Sequence, residues 1–273
     1  MQTAVRRLEV FCDHLAIKCK PHMPLIARFL IIATFYEDSL RLMNQWNDQI
    51  RFLKRYRGFP YTTAELFLVA NILTMSTAST LLLFKKNTAS AALTLITVIF
   101  SQSIGYGILL DTSFIFRMLC VCGGLTLLLA EKAISDSREF QNIQFGRMGL
   151  EKGSGTYFQL GGRVLYVFLF LSFLFGGDGE LTTTRIAVVT CCFVACVAVA
   201  LGFKAKWSAA ALTGVVVLAN IVLNGWWTLH HSHPRRDLER YDFFQNLSII
   251  GGLLLLGHVG PGELSVDENK KNF

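Results

Sequence analysis

The sequence predicts an all-α, polytopic membrane protein of about eight transmembrane helices, arranged as two tandem four-helix halves. Three observations carry that prediction: composition, apolar runs of membrane length, and an internal alignment between the halves. Apolar residues make up 52% of the 273 residues and charged residues only 16%, and the mean hydropathy is +0.45. A soluble domain carries about 25% charged residues, so this chain is too apolar to cover itself against water and belongs in a bilayer.

Crossing about 30 Å of hydrocarbon takes roughly 20 apolar residues in a helix. Stretches of that character fall at 24–45, 63–84, 89–110, 114–130, 161–175, 186–203, 208–227 and 243–259. The fourth, fifth and eighth are short, which leaves open a six-helix arrangement in which some of them dip or pair as a re-entrant hairpin. The chain divides into an N-terminal segment 1–23, a first membrane half 24–130, a connecting loop 131–160, a second half 161–259 and a tail 260–273.

The halves align with each other. Phe84 and Lys85, leading into Ala91, Ala92, Leu93 and Thr94, match Phe203 and Lys204, leading into Ala210, Ala211, Leu212 and Thr213, at one constant offset. Phe116, Leu119, Gly123, Gly124 and Leu125 match Phe244, Leu247, Gly251, Gly252 and Leu253 in the same way, and Arg28 with Leu30 matches Arg163 with Leu165. Four helices per half make both halves face the same way. Small residues and leucine also align by chance in membrane proteins. The glycine pairs are expected at helix–helix seams on either reading, because small residues let backbones approach closely.

An even number of crossings puts both termini on one side, and the basic residues place that side in the cytosol: Arg6, Arg7, Lys18 and Lys20, then Lys85 and Lys86, Lys132 to Lys152, Lys204 and Lys206, and Lys270 and Lys271. Two connections dissent, with Arg51, Lys54, Arg55 and Arg57 in one and Arg235, Arg236 and Arg240 in the other. These also carry Asp48, Asp237, Glu239 and Asp242. The opening twenty residues are basic and broken by Glu9, Asp13 and His14, so they read as an exposed segment and not as a cleavable leader. The net charge of +7 is scattered over short connections and forms no nucleic-acid patch. Five of the seven cysteines, Cys120, Cys122, Cys191, Cys192 and Cys196, lie inside apolar runs, which resembles neither a disulfide framework nor a zinc site.

The first helix is unlike the others. Its apolar run stops at Tyr36, and Glu37, Asp38 and Arg41 follow about halfway across. Charge at that depth costs at least ~2.5–3.5 kcal/mol per residue, so these side chains must face protein or water. Spacings of three and four allow Arg41 to pair with one carboxylate along the helix. The second carboxylate is left to Arg117 of the fourth helix or to a ligand amine. The aligned positions of the fifth helix are Ser172, Phe173 and Gly176, so the fold itself does not call for the charges.

Further polar and aromatic residues fall at the same end of the helices: Gln45, Trp46 and Asn47; Gln102 and Tyr106, one turn apart; Asn220, Asn224 and Trp227; and Asp242, Gln245 and Asn246. Together they predict a lumen-facing cavity, although amides and aromatics at this spacing also serve as interhelical hydrogen bonds and interfacial anchors. His230, His231 and His233 stand on a turn before Pro234 without a carboxylate or thiolate to complete a metal shell. No phosphate loop, nucleophile elbow or zinc-protease helix is present in the sequence, and no cofactor is expected. At the other end of the chain, Lys270 and Lys271 stand fourth and third from the terminal position. They match the dilysine signal by which a cytosolic COPI coat retrieves endoplasmic reticulum (ER) membrane proteins.

Longer motifs carry a family resemblance. These are the run from Arg28 to Arg41 with Gln45 and Trp46; Gln159 to Arg163; Gly202, Phe203, Lys204 and Lys206; Tyr241 to Gln245; Ser248 to Leu255; and Gly260 to Glu268. The chain resembles the surfeit locus protein 4 family, most closely its fungal branch of cargo receptors of ER-derived vesicles. The resemblance implies a non-enzymatic receptor that binds soluble secretory proteins in the ER lumen through short apolar export signals, leaves in COPII vesicles and returns from the Golgi in COPI vesicles. For such a ligand the expected site has Glu37 and Asp38 receiving a cargo ammonium and Trp46, Tyr106, Trp226 and Trp227 receiving apolar side chains, with Arg41 beside the carboxylates. Gln102, Asn220, Asn224, Asp242 and Gln245 complete the expected cargo-binding set. The alternative reading is a transporter or proton-coupled membrane enzyme using Glu37, Asp38 and Arg41 as a relay. Cargo identity, self-association and the segment that meets COPII stay open.

Overall fold

The structure is a computed structural model, and it describes residues 22–108, 111–143, 152–168, 190, 193–194, 196–199, 205–230, 233 and 235–259. Residues 1–21, the dilysine tail, most of the expected sixth span and positions 172, 173 and 176 lie outside the described residues. Among those described, the regular elements are all helical. Five helices are long and apolar enough to cross a membrane: Tyr61–Leu83, Thr88–Tyr106, Phe114–Asp136, Ser208–Thr228 and Arg236–Val259. The protein is an all-α polytopic membrane protein.

Helix α1, Met23–Asn44, carries Pro24 in its first turn, where the missing N–H is one that no helix satisfies. It is long enough to span but exceeds the charge allowance of a plain membrane helix. A turn at Gln45 leads into α2, Trp46–Arg57, which stops at Gly58 in the left-handed conformation with φ 68°, the usual glycine C-cap. Then come α3, Tyr61–Leu83, and α4, Thr88–Tyr106, which ends at Gly107 with φ 71°. Helix α5, Thr112–Ile143, is 32 residues long. Helices α6, Lys152–Leu165, α7, Ala205–Leu223, and α8, Arg236–Val259, follow, with a 3-10 turn at Trp226–Thr228 before the last.

The outer helices bury one narrow stripe and show the rest to lipid. In α3, Ala64, Leu68, Asn71, Met75, Ala78 and Leu82 are buried, while Leu66, Val69 and Leu73 are exposed. This is the inverse of a soluble amphipathic helix, because the solvent for the outer face is hydrocarbon. Helix α1 is buried on most of its circumference and makes its largest interface with α8. Helix α5 packs on α4, α6 and α8, and α7 packs on α8.

Glycines set the central seams, as the sequence predicts. A β-carbon on Gly251 of α8 would meet Ala27 O at 2.6 Å, Ile31 N at 2.8 Å and Leu30 Cβ at 2.8 Å, all on α1. A β-carbon on Gly123 of α5 would meet Gly162 O at 3.2 Å and Leu165 Cβ at 3.1 Å on α6, then the Tyr166 ring just beyond it at 3.7 Å. The two sets correspond under the alignment that pairs Arg28 and Leu30 with Arg163 and Leu165: Ala27 answers to Gly162, Leu30 to Leu165 and Ile31 to Tyr166. The Ser248 hydroxyl donates to Ile31 O at 2.7 Å across the α1–α8 seam, and at the aligned position Cys120 Sγ faces Leu165 O at 3.6 Å.

Three boundaries differ from the sequence expectation. The stretch 131–160, expected as a loop, is helical from its start to Ile143 and again from Lys152. Lys132 and Asp136, four apart and paired, support the extension of α5. Helix α2 was not expected; its buried Ile50 and Leu53 are spaced three apart in an otherwise polar segment. Helix α8 begins at Arg236, two turns before the apolar run, and Asp237 and Glu239 favour its first turn electrostatically.

Candidate functional site

The site lies where α1, α4 and α7 finish and α5 and α8 begin. Glu37 and Asp38 are 3% and 8% exposed, deep enough that each needs a cation or hydrogen-bond donors. Asp38 Oδ1 accepts from Arg41 Nη2 at 2.7 Å, one turn along α1. The Arg41 guanidinium also lies 4.5 Å from the centre of the Tyr241 ring, a cation–π contact that braces it against α8. Glu37 Oε1 faces Arg240 Nε of α8 at 3.2 Å. Arg117 of α5 pairs with Asp242 of α8. Three consecutive residues of α8 therefore hold α1 and α5 together by charge.

Beside these pairs is a narrow cleft of about 30 Å³, open at its mouth. Phe35 and Asp38 of α1, Gln102 of α4, Phe114 and Met118 of α5, and Tyr241 and Gln245 of α8 line it. Apolar walls with a few convergent polar groups are the usual character of a ligand site. Gln245 Nε2 donates to the Tyr241 hydroxyl. Glu37 Oε2 and Gln245 Oε1 are buried with no hydrogen-bond partner, as is the Tyr106 hydroxyl, whose ring packs 5.9 Å from Phe52 and 6.2 Å from Phe67.

The expected site residues thus separate into two groups. Asp38, Gln102 and Gln245 line the cleft, and Glu37, Arg41 and Asp242 form the ion pairs around it. Asn220 and Asn224 are spent on a ladder: Asn220 Nδ2 donates to Phe243 O at 3.1 Å, and Asn220 Oδ1 accepts from Asn224 at 2.9 Å and Asn246 at 3.1 Å. Trp227 is half-exposed and stands edge-on to Phe243 at 5.5 Å. Trp46 opens α2 and packs against the core. Lys270, Lys271 and His231 lie outside the described residues. Among the described residues no group of three His, Cys, Asp or Glu side chains is arranged to hold a metal ion.

Two residues were missed by the sequence reading, Arg240 and Tyr241. Their signal was the Arg236/Arg240 pair four apart, after a turn and together with Asp237 and Glu239, which marks a helix start. Arg117, named from the sequence as a partner for the second carboxylate of α1, instead serves Asp242.

Comparison with known proteins agrees over the whole length. The SURF4 family model matches residues 2–273. The chain is 42% identical to the surfeit locus protein 4 homolog of Schizosaccharomyces pombe over 93% of this chain and 83% of that one. It is 36% identical to the ER-derived vesicles protein ERV29 of Saccharomyces cerevisiae over 98% and 83%, and 34% identical to the Drosophila melanogaster homolog over 98% and 97%. No solved structure matches the chain. With the charged first helix, the glycine seams and a match from residue 2 to residue 273 in hand, the chain belongs to the SURF4 family.

Proposed function

We propose that this protein is a cargo receptor of the ER membrane, without enzymatic activity of its own. It takes soluble secretory proteins from the lumen into COPII vesicles and returns from the Golgi through COPI recognition of Lys270 and Lys271. Both termini face the cytosol in this reading, so the cleft opens to the lumen. The observation that carries it is Glu37: a carboxylate 3% exposed whose Oε2 has no hydrogen-bond partner, next to an apolar-walled cleft that holds Asp38. A cargo amino terminus supplies an ammonium for the carboxylates and apolar side chains for the cleft. The name of the yeast relative, an ER-derived vesicles protein, supports the trafficking role.

The test is secretion and crosslinking of a soluble reporter with an apolar amino-terminal tripeptide, in cells lacking the receptor and supplied with the wild-type chain, Glu37→Gln or Asp38→Asn. Restoration by the wild type and loss of both export and crosslinking with either variant, each still folded, is the expected result. Export that ignores both substitutions would remove the cleft from the mechanism. Carboxylate-dependent ion or proton movement without any protein ligand would favour the transporter reading instead.

A further inference from the structure

Three ion pairs stand around the cleft, with Asp237 and Arg236 close by. Three carboxylates, Glu37, Asp38 and Asp242, face three guanidiniums, those of Arg240, Arg41 and Arg117. An ammonium arriving from a ligand adds one positive charge to a region where an uncompensated charge is costly. An ammonium that takes one of these carboxylates competes with the guanidinium already on it.

The three pairs are unequal in how firmly the cation is held. Arg41 grips Asp38 at 2.7 Å and is braced on Tyr241. Arg117 and Asp242 are 17% and 20% exposed, a matched and mostly enclosed pair. Arg240 differs from Arg41 in its longer reach and weaker ring contact, although the Arg41 side chain is nearly as exposed, at 30%. The Arg240 side chain is 35% exposed while Glu37 is 3% exposed, it reaches the carboxylate at 3.2 Å through Nε, and that Nε forms no hydrogen bond. It also has a second contact, shared with Arg236: its guanidinium carbon lies 5.6 Å from the centre of the Trp226 ring, and that of Arg236 lies 5.4 Å from it. A cation–π contact there is worth about 0.5–1 kcal/mol, enough to make departure from Glu37 inexpensive. The neighbouring Asp237, which would otherwise compete for a freed guanidinium, is engaged by Gln45 Nε2 at 2.8 Å.

We propose that Arg240 is a displaceable gate on the candidate site. Its guanidinium occupies Glu37 until an incoming ammonium takes the carboxylate, and then moves onto the Trp226 ring. The inference rests on the receptor reading above and adds the residue that sets its threshold. Arg240 imposes competition that a ligand without a free ammonium cannot win, so it favours ligands by amino-terminal charge as well as by apolar fit. A binding-competent state populated about one-tenth of the time weakens apparent affinity about tenfold.

The test uses the full chain in lipid nanodiscs and a fluorescent nonapeptide with three apolar residues at a free amino terminus, beside its N-acetylated twin. Arg240→Gln is expected to bind the free-amine peptide about fivefold or more tightly than wild type, with the acetylated peptide unchanged. Equal or weaker binding of the free-amine peptide by a folded Arg240→Gln overturns the gate. A second measurement does not depend on that variant folding: peptide addition changes the tryptophan emission of wild type, and Trp226→Phe removes the change. The absence of any Trp226-dependent change also overturns the gate. Glu37→Gln separates the two layers of the argument. If it retains the preference for the free amine, the site reading itself fails; if it loses the preference while Arg240→Gln gains nothing, the site stands and the gate falls.

Discussion

Gly124 of α5 and Gly252 of α8 meet backbone to backbone beside the Tyr166 hydroxyl: a β-carbon on Gly252 would stand 2.8 Å from the Gly124 Cα and 1.7 Å from that hydroxyl. Gly252→Ala is therefore predicted to force the seam apart, at a cost of about 1–3 kcal/mol, the range for overpacking a close-packed interior. Gly257→Ala is the control, since nothing lies within 4 Å of its added carbon and alanine is the better helix former by about 1 kcal/mol. Thermal unfolding in detergent should show a lowered Tm for the first and an equal or raised Tm for the second.

At the opposite end of α1, Arg28 Nη2 lies 2.7 Å from Glu131 Oε2 of α5, with side chains 4% and 19% exposed. Removing one partner of a buried pair leaves an uncompensated charge, which costs about 3 kcal/mol or more, whereas replacing both with apolar residues is close to neutral. Glu131→Leu and Arg28→Met should each lower stability, and the two combined should recover most of the loss. Denaturant midpoints of the single and double variants close that cycle.

Arg57, the last residue of α2, donates from Nε to Gly105 O and from Nη2 to Ile104 O, each at 3.0 Å, and so fastens α2 to the carboxyl end of α4. Arg57→Gln is expected to loosen α2 while leaving the membrane helices intact. Limited proteolysis should then cut within residues 46–57 at a rate well above wild type, with little change in global Tm. Gly107→Ala should do likewise, because its φ of +71° and the Arg57 guanidinium at 2.6 Å both oppose a β-carbon.

The proposed retrieval makes a separate prediction. Lys270→Ser with Lys271→Ser should leave cleft binding of the peptide probe at the wild-type value while moving the steady-state pool from ER to Golgi fractions. Retention in the ER at wild-type levels would assign return to another part of the chain.

The sequence made the unusual helix and the glycine seams visible, because both are local. Glu37 and Asp38 stand out as charges in an apolar run, and Gly123, Gly124, Gly251 and Gly252 stand out as aligned pairs. Helix α2 and the first turns of α8 were hidden for a physical reason: their residues are polar, and a search for membrane-length apolar runs passes over an amphipathic helix of twelve residues. The partner of Glu37 was not legible at all. Arg117 and Arg240 offer the same chemistry, and only the packing of α8 between α1 and α5 decides which guanidinium reaches which carboxylate. Asn220 shows the converse, since its amide sits at the expected end of α7 but faces α8 and is consumed by the ladder there.

The α1–α8 interface also has a bearing on biosynthesis. Ile31 and Ser248, which touch across it, are 217 residues apart in the chain, so the earliest membrane helix to leave the ribosome must wait for the latest to find its main neighbour. During that interval Glu37 has not met Arg240, and α1 carries a carboxylate without the counter-charge that the finished fold provides. The last described helix therefore supplies the counter-charge that the first one lacks, and the bundle closes around a contact made between its most distant parts.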